Sequence, residues 1–229
     1  MIEMDFAQNY TKHNLSELAV LYIKNKILSG EFKSGDKLVE SDISNDLSIS
    51  RAPVREALRE LNMQGMVMFS PRKGNYVLEM SHEETMEVFD IRIAMEKRIL
   101  ELLVGASTLQ DADFRQLDNL TAEMYALEGQ QMEPHEMLYR LNHLDFSFHS
   151  YLWKASGSLR RGKILEGLFY QLLIVMNKDV ITLGTFHEKA QEHTRIVQAL
   201  KQNDLQRVYR ELEAHFNSYI EAVEQRELQ

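Results

Sequence analysis

The 229-residue chain contains no cysteine, which excludes disulfides, thiolate metal sites and cysteine nucleophiles and leaves His, Asp and Glu as its metal-ligating side chains. It has no apolar run approaching the roughly 18 residues of a membrane span, so a soluble protein is expected. The leading stretch MIEMDFAQNYTKHN lacks the apolar segment of a secretion signal, and a cytoplasmic location follows as the expectation. Proline is scarce, with three residues in all and two of them within the first 71. Internal repeats and low-complexity tracts are absent. Positive charge is in deficit: 26 Lys and Arg stand against 35 Asp and Glu, for a net charge of −9. Taken alone, that balance opposes a polyanionic partner, because neutralising phosphates takes basic side chains. The distribution changes the reading. Residues 1–80 carry 10 basic and 11 acidic side chains, whereas residues 81–229 carry 16 and 24, so the acidic excess lies in the second part. What remains is globular composition, 44% hydrophobic and 27% charged, on a chain long enough for two domains with separate cores.

From Leu15 to Leu28 the apolar residues Leu18, Leu21, Tyr22 and Leu28 follow helical spacing, with Ser16 as an N-cap and Gly30 placed to end the helix. A short second helix reads from about Ser41 to Leu47, burying Ile43 and Leu47. Ser48, Ile49 and Ser50 then connect it tightly to a third, from Arg51 to about Gln64. After Gly65 the pattern becomes Met66 to Phe69, a turn over Ser70 to Asn75 containing Pro71 and Gly74, then Tyr76 to Leu78, which reads as a two-stranded hairpin. Met63, Met66 and Met68 are expected to pack this hairpin on the third helix. Helix, helix, short turn, helix and a basic-tipped hairpin is the order of a winged helix-turn-helix.

In the third helix Val54, Ala57, Leu58 and Leu61 form the apolar face, leaving Arg51, Arg55, Arg59 and Asn62 as a polar stripe. Such a stripe on an isolated helix is ordinarily solvent-facing and ion-paired, here with Glu56 and Glu60. Its setting in a reading head favours contact with bases and phosphates. Ser50 and the first-turn amides offer an oxyanion site at the positive end of the helix dipole, and Arg72 and Lys73 beside Gly74 could enter the minor groove or clamp a phosphate.

From Ser81 onward the pattern is helical throughout: about six helices, near 82–104, 109–128, 134–156, 159–178, 186–202 and 205–226. Ser81 with Glu84 resembles a capping box, Thr108 and Asp204 fit N-caps, and Pro134 suits a first turn. The fold class is therefore mainly α, a winged helix-turn-helix with a small β-hairpin wing in residues 1–80 joined to an all-α helical bundle in residues 81–229. Asp145 and His149 share an inward face with Leu141, Phe148 and Leu152. His193 lies with Ile196, Val197 and Leu200, and His215 with Val208, Leu212 and Tyr219. A single histidine on an apolar face is more often a hydrogen-bonded core residue than a ligand. Three of them with an otherwise costly buried carboxylate suit a borderline divalent ion, zinc, nickel or manganese. His13, His82, His135, His143 and His187 have no such setting and read as surface or cap residues.

The stretch ILSGEFKSGDKLVESDISNDLSISRAPVREALRELNMQGMV, followed by PRKGNYV, resembles the DNA-binding domain of GntR-family regulators. That resemblance implies DNA contacts by Arg51 and Arg55 and a wing shaped by Gly74. Ser34 and Ala52 stand where the family often has Pro and Thr. Residues from about 83 to 222 are similar to the FCD effector domain of the FadR subfamily, in FDIRIAMEKRILELL, LDFSFHSYLWKASG, EHTRIVQALKQND and ELEAHF. Metal-binding members of that group place their ligands where Asp145, His149, His193 and His215 stand, which implies a divalent metal cofactor, zinc ahead of nickel or manganese. The same resemblance implies a small organic acid as effector, its carboxylate reaching the metal, with Arg92, one turn before Glu96, as a second anchor. No arginine occurs from Glu166 through Lys178 to supply another clamp. The expectation is a homodimer on pseudo-palindromic double-stranded operator DNA, acting as a repressor because a dimer on a promoter blocks polymerase. Two rivals are a metal-dependent hydrolase using the same four residues and a regulator whose helical domain serves dimerisation alone.

Overall fold

The computed structural model describes residues 15–177 and 186–227. Its first helix, α1 (Leu15–Leu28), buries Ala19, Ile23 and Ile27 at four-residue intervals. This differs from the expected stripe: Leu21 is 41% exposed and Tyr22 is half-buried, its hydroxyl donating to Asp46 Oδ2 at 2.8 Å. The stripe with the small Ala19 admits close approach of α3 (Arg51–Met63), the helix α1 packs on most extensively. Ser16 lies inside the first turn, and the position before Leu15 is outside the described residues. Gly30, at φ +72°, ends the helix, with its amide donating to Ile27 O and that of Phe32 to Lys26 O.

Between them α2 (Glu40–Asp46) buries Ile43, while Leu47 is only half-buried, and Ser48 at φ 54° makes the sharp step toward α3. α3 buries Val54, Ala57, Leu58 and Leu61, as its spacing predicts. The wing comprises β2 (Val67–Ser70) and β3 (Gly74–Val77), antiparallel with Val67 opposite Val77, plus a strand absent from the sequence reading, β1 (Lys37–Leu38), which pairs with the outer edge of β3. Two residues are too short to carry an alternating pattern, so β1 exists only because Lys37 and Leu38 lie opposite Tyr76 and Asn75. Of the three methionines, only Met66 is buried; Met63 is 82% and Met68 38% exposed, so they do not join wing to helix.

The remaining helices are α4 (His82–Ala106), α5 (Asp111–Ala126), α6 (Pro134–Ala155), α7 (Leu159–Met176), α8 (Phe186–Lys201) and α9 (Leu205–Glu227). Ser81 and Glu84 form the capping box, Pro134 opens α6, and Asp204 Oδ1 accepts from Arg207 N at 3.0 Å. Thr108 does not cap α5: Gln110 occupies that place, its amide held by Asp113. In the bundle α4 packs on α7 and α9, α8 on α5 and α9, and α6 on α5 and α7. Among the described residues no helix is long and apolar enough to cross a membrane.

The C-terminal end of α1 rests on α6 and α7. Asn142 Nδ2 donates to Leu28 O at 2.9 Å, Asn177 Nδ2 to Ile27 O at 3.2 Å, and His135 Nδ1 meets Ser29 O at 2.8 Å. These side chains satisfy carbonyls that a helix end leaves without partners. Lys24 sits 3.8 Å from the Tyr170 ring centroid and 3.8 Å from Glu166.

Candidate functional site

Asp145 and His149 project from one face of α6, His193 from α8 and His215 from α9. One ligating atom from each lies within 4.8 Å of all the others. The three imidazoles are buried to within 1% of full exclusion, because their helical positions share the apolar face that the bundle closes. His149 Nε2 is 3.3 Å from His215 Nε2, and His193 Nε2 is 2.8 Å from Asp145 Oδ1. His149 Nε2 is 3.8 Å from the same carboxylate oxygen.

Each imidazole is oriented through its other nitrogen. His149 Nδ1 meets Glu96 Oε2 at 2.8 Å, His193 Nδ1 meets Lys189 O at 2.8 Å, and His215 Nδ1 meets Glu192 Oε2 at 3.0 Å. A carbonyl can only accept, so Nδ1 of His193 carries the proton and its Nε2 presents a lone pair when the ring is neutral. Burial pushes Glu96 up, but the charges of His149 and Arg92 outweigh it and bring the carboxyl down to about 2, so it too accepts. Burial, then the neighbouring His193 and His149, hold His215 well below the usual imidazole range, hence neutral. Burial pushes Asp145 up as well, yet its 2.8 Å approach to His193 and the nearness of the other imidazoles hold it well below the usual carboxylate range.

When the three rings are neutral, their Nε2 lone pairs and the Asp145 carboxylate converge on one point. Asp145 Oδ1 and His193 Nε2 are buried without a geometrically satisfied hydrogen bond despite their 2.8 Å approach. A proton can serve one pair of these atoms; a divalent cation serves all four. Bonds of roughly 2.0–2.2 Å from a metal to His nitrogen and carboxylate oxygen put neighbouring donors about 3 Å apart; here two pairs stand at 2.8 and 3.3 Å, a third at 3.8 Å, and all four donors lie within 4.8 Å of one another. The donor set therefore fits a borderline divalent ion.

Beside the cluster lies a cavity of about 130 Å³, lined by Asp145, Arg92, Lys189, Asn142, Asn177 and several aromatic rings. It falls well short of the roughly 300 Å³ at which drug-sized pockets begin, so it suits a small molecule. Arg92, 5% exposed, lies 4.7 Å from the centroids of both Phe169 and Phe216 and donates from Nε to Glu96 Oε1 at 2.9 Å. Its Nη2 is buried without a partner. Glu96 consequently bridges Arg92 and His149, a role the sequence reading missed by treating it only as Arg92's neighbour. Glu192 and Lys189 were missed altogether; the available signal was two charged residues on the inward face of α8 beside His193.

In the winged part, Arg51, Arg55 and Arg59 are exposed along α3, and Arg72 and Lys73 are exposed in the β2–β3 turn. Arg55 pairs with Glu40 of α2 through Nε at 3.1 Å and Nη2 at 2.9 Å, rather than with Glu60; at a surface this pair is weak. Ser50 stands at the N-cap position without a side-chain cap bond, so its hydroxyl is uncommitted there. Gly74 has φ +81°, which favours glycine, and a Cβ there would meet nothing within 4 Å. Of the other histidines, His143 stacks on Tyr139 and His187 lies beside Tyr125 and Glu128; His13 lies outside the described residues.

Residues 15–77 match the family described as bacterial regulatory proteins, gntR family, and residues 87–218 match the FCD domain. The chain is 25% identical over 210 residues to the HTH-type transcriptional repressor GlaR of Escherichia coli, covering 89% of this chain and 93% of that protein. It is 23% identical over 205 residues to the gluconate operon transcriptional repressor of Bacillus subtilis, covering 88% and 82%. Among solved structures, E. coli McbR/YncC superposes with a TM-score of 0.76 at 20% identity over 93% of this chain and 99% of that one. A transcriptional regulator from Rhodococcus sp. RHA1 gives 0.72 at 20% identity over 91% and 96%.

Proposed function

Because the chain belongs to the gntR family of bacterial regulatory proteins and carries an FCD domain, it is a DNA-binding transcriptional regulator and not an enzyme, and we propose that it is a cytoplasmic repressor released or engaged by a small carboxylate. In this reading residues 1–80 form the reading head and residues 81–229 the effector-binding and dimerisation domain. Ser50, Arg51, Arg55, Arg59, Arg72, Lys73 and Gly74 face double-stranded operator DNA. Two copies sit on a two-fold operator, paired through their helical domains. Exposed Ile91 of α4 and Leu159 and Ile164 of α7, on helices that pack together, supply apolar surface for that pairing.

The observation that carries the effector reading is the convergence of Asp145, His149, His193 and His215 beside a cavity that also holds the unpartnered Arg92 Nη2. Those four residues would hold a divalent ion, zinc ahead of nickel or manganese, and the ion would supply a Lewis-acid site for a carboxylate oxygen. Arg92 offers the same ligand a charged donor, with its guanidinium held between two rings. Asn142 and Asn177 belong both to this cavity and to the hydrogen bonds that hold the end of α1, so a ligand that moves either side chain acts directly on the reading head. A ligand shifts operator affinity only by binding the two states unequally.

The test is metal content by elemental mass spectrometry on protein purified without chelator or histidine tag, comparing wild type with Asp145→Ala and His193→Ala. Near-stoichiometric metal in the wild type and its loss in both variants supports the reading. No metal in any of them, even after adding zinc, nickel or manganese, returns the four residues to a polar core and the helical domain to dimerisation alone.

A further inference from the structure

Lys189, one helical turn before His193, is used by none of the assignments above. It is 4% exposed, a rare state for a lysine. Its ammonium donates to Ser218 Oγ at 2.8 Å and stands 3.6 Å from the Tyr219 ring centroid. The nearest carboxylate contact is long, 3.4 Å to Glu192 Oε2, and that oxygen already takes His215 Nδ1 at 3.0 Å. Of the three N–H donors of this ammonium, one has a good acceptor in Ser218; the other two meet only the distant Glu192 oxygen and the Tyr219 ring, contacts that a carboxylate in the adjoining cavity would outcompete.

Lys189 lines the same cavity as Arg92 and Asp145. Two buried cationic side chains, one from α4 and one from α8, therefore flank one small space whose other walls are apolar and aromatic apart from Asp145, Asn142 and Asn177. The Arg92 Nη2 has no partner, and a buried charge short of partners is costly. That cost is offset if the occupant brings an anionic group to Arg92, and a second anionic group on the same occupant would give Lys189 a closer counter-charge than Glu192.

We propose that the effector is a small dicarboxylate, one carboxylate directed to Arg92 and the metal-site side of the cavity and the second to Lys189, which makes Lys189 the residue that selects diacids over monoacids. This rests on the cavity being the carboxylate effector site. A neutral hydroxyl could also accept from Lys189, but only a carboxylate also neutralises the ammonium's charge, and enclosure in a small cavity accentuates that difference.

The experiment is calorimetric titration of the full-length, metal-loaded protein with three matched series of three to five carbons: the straight-chain diacids, the corresponding ω-hydroxy acids and the plain monoacids. Wild type is expected to bind at least one diacid about tenfold or more tighter than its matched hydroxy acid and monoacid. Lys189→Met is expected to erase that preference while leaving monoacid binding and metal content in place, and Lys189→Arg to retain part of it. Diacids binding no better than their partners would overturn the proposal and leave the carboxylate-sensor reading standing. A diacid preference that survives in Lys189→Met would remove Lys189 from the role. Failure of all three series to bind metal-loaded protein would overturn the sensor reading itself, and the proposal with it.

Discussion

Replacing Glu96 with Gln separates what holds the bundle together from what arms its candidate metal centre. Glu96 is 1% exposed and uses one oxygen for Arg92 Nε at 2.9 Å and the other for His149 Nδ1 at 2.8 Å. Gln preserves the shape but removes the charge and turns one acceptor into a donor, so one of these contacts becomes donor against donor. Losing one partner of a buried ion pair costs about 3–5 kcal/mol. For a chain of this size that lowers Tm by about 6–20 °C, at roughly 2–4 °C per kcal/mol. Losing the group that orients a ligating imidazole weakens metal binding about 10- to 100-fold. Thermal unfolding of chelator-treated protein reads the first quantity, and competition titration with zinc reads the second. The double variant Arg92→Met/Glu96→Leu removes both charges, and is expected to recover most of the chelated protein's stability without recovering metal affinity, since His149 Nδ1 still lacks its acceptor. A Glu96→Gln protein that matches wild type in both measurements refutes the bridging role, and a double variant that regains metal affinity refutes the orientation of His149.

Arg51→Ala should weaken binding to an operator selected from random DNA by about 1–3 kcal/mol while leaving the circular dichroism spectrum unchanged; unaltered affinity would mean α3 does not read the DNA. Gly74→Val should cost about 1–2 kcal/mol through backbone conformation alone, since the position is open, and should also reduce operator affinity; a variant as stable as wild type in thermal scans contradicts the need for its φ of +81°. Asn142→Ala combined with Asn177→Ala should keep carboxylate binding but lose the ligand-induced change in operator affinity, which is measured by titrating DNA with and without ligand. A coupling equal to wild type would place the route to the reading head elsewhere. Chelation should lower the wild-type Tm by about 8–16 °C if the working metal concentration is about a thousandfold above Kd, and should leave Asp145→Ala unmoved; equal shifts in both would place the metal at another site.

Local pattern alone carried much of this protein. Val54, Ala57, Leu58 and Leu61 lie on the buried face of α3, and Ser81, Pro134 and Asp204 start their helices, because helical period and capping are properties of neighbours in the chain. The same period placed Asp145, His149, His193 and His215 on inward faces, which is why the four could be named before any contact was known. It could not say which partners face them. That Glu96 joins Arg92 to His149, that Glu192 orients His215, and that Lys189 lines the cavity depend on how α4, α6, α8 and α9 are set against one another. Tertiary contact likewise decided that Ala19, Ile23 and Ile27 form the buried stripe of α1, that a two-residue β1 joins the wing, and that Asn142 and Asn177 hold the end of α1. A helix states in its own sequence which residues point inward, but what they meet there is set by elements separated by tens to more than a hundred residues, and only packing brings those together.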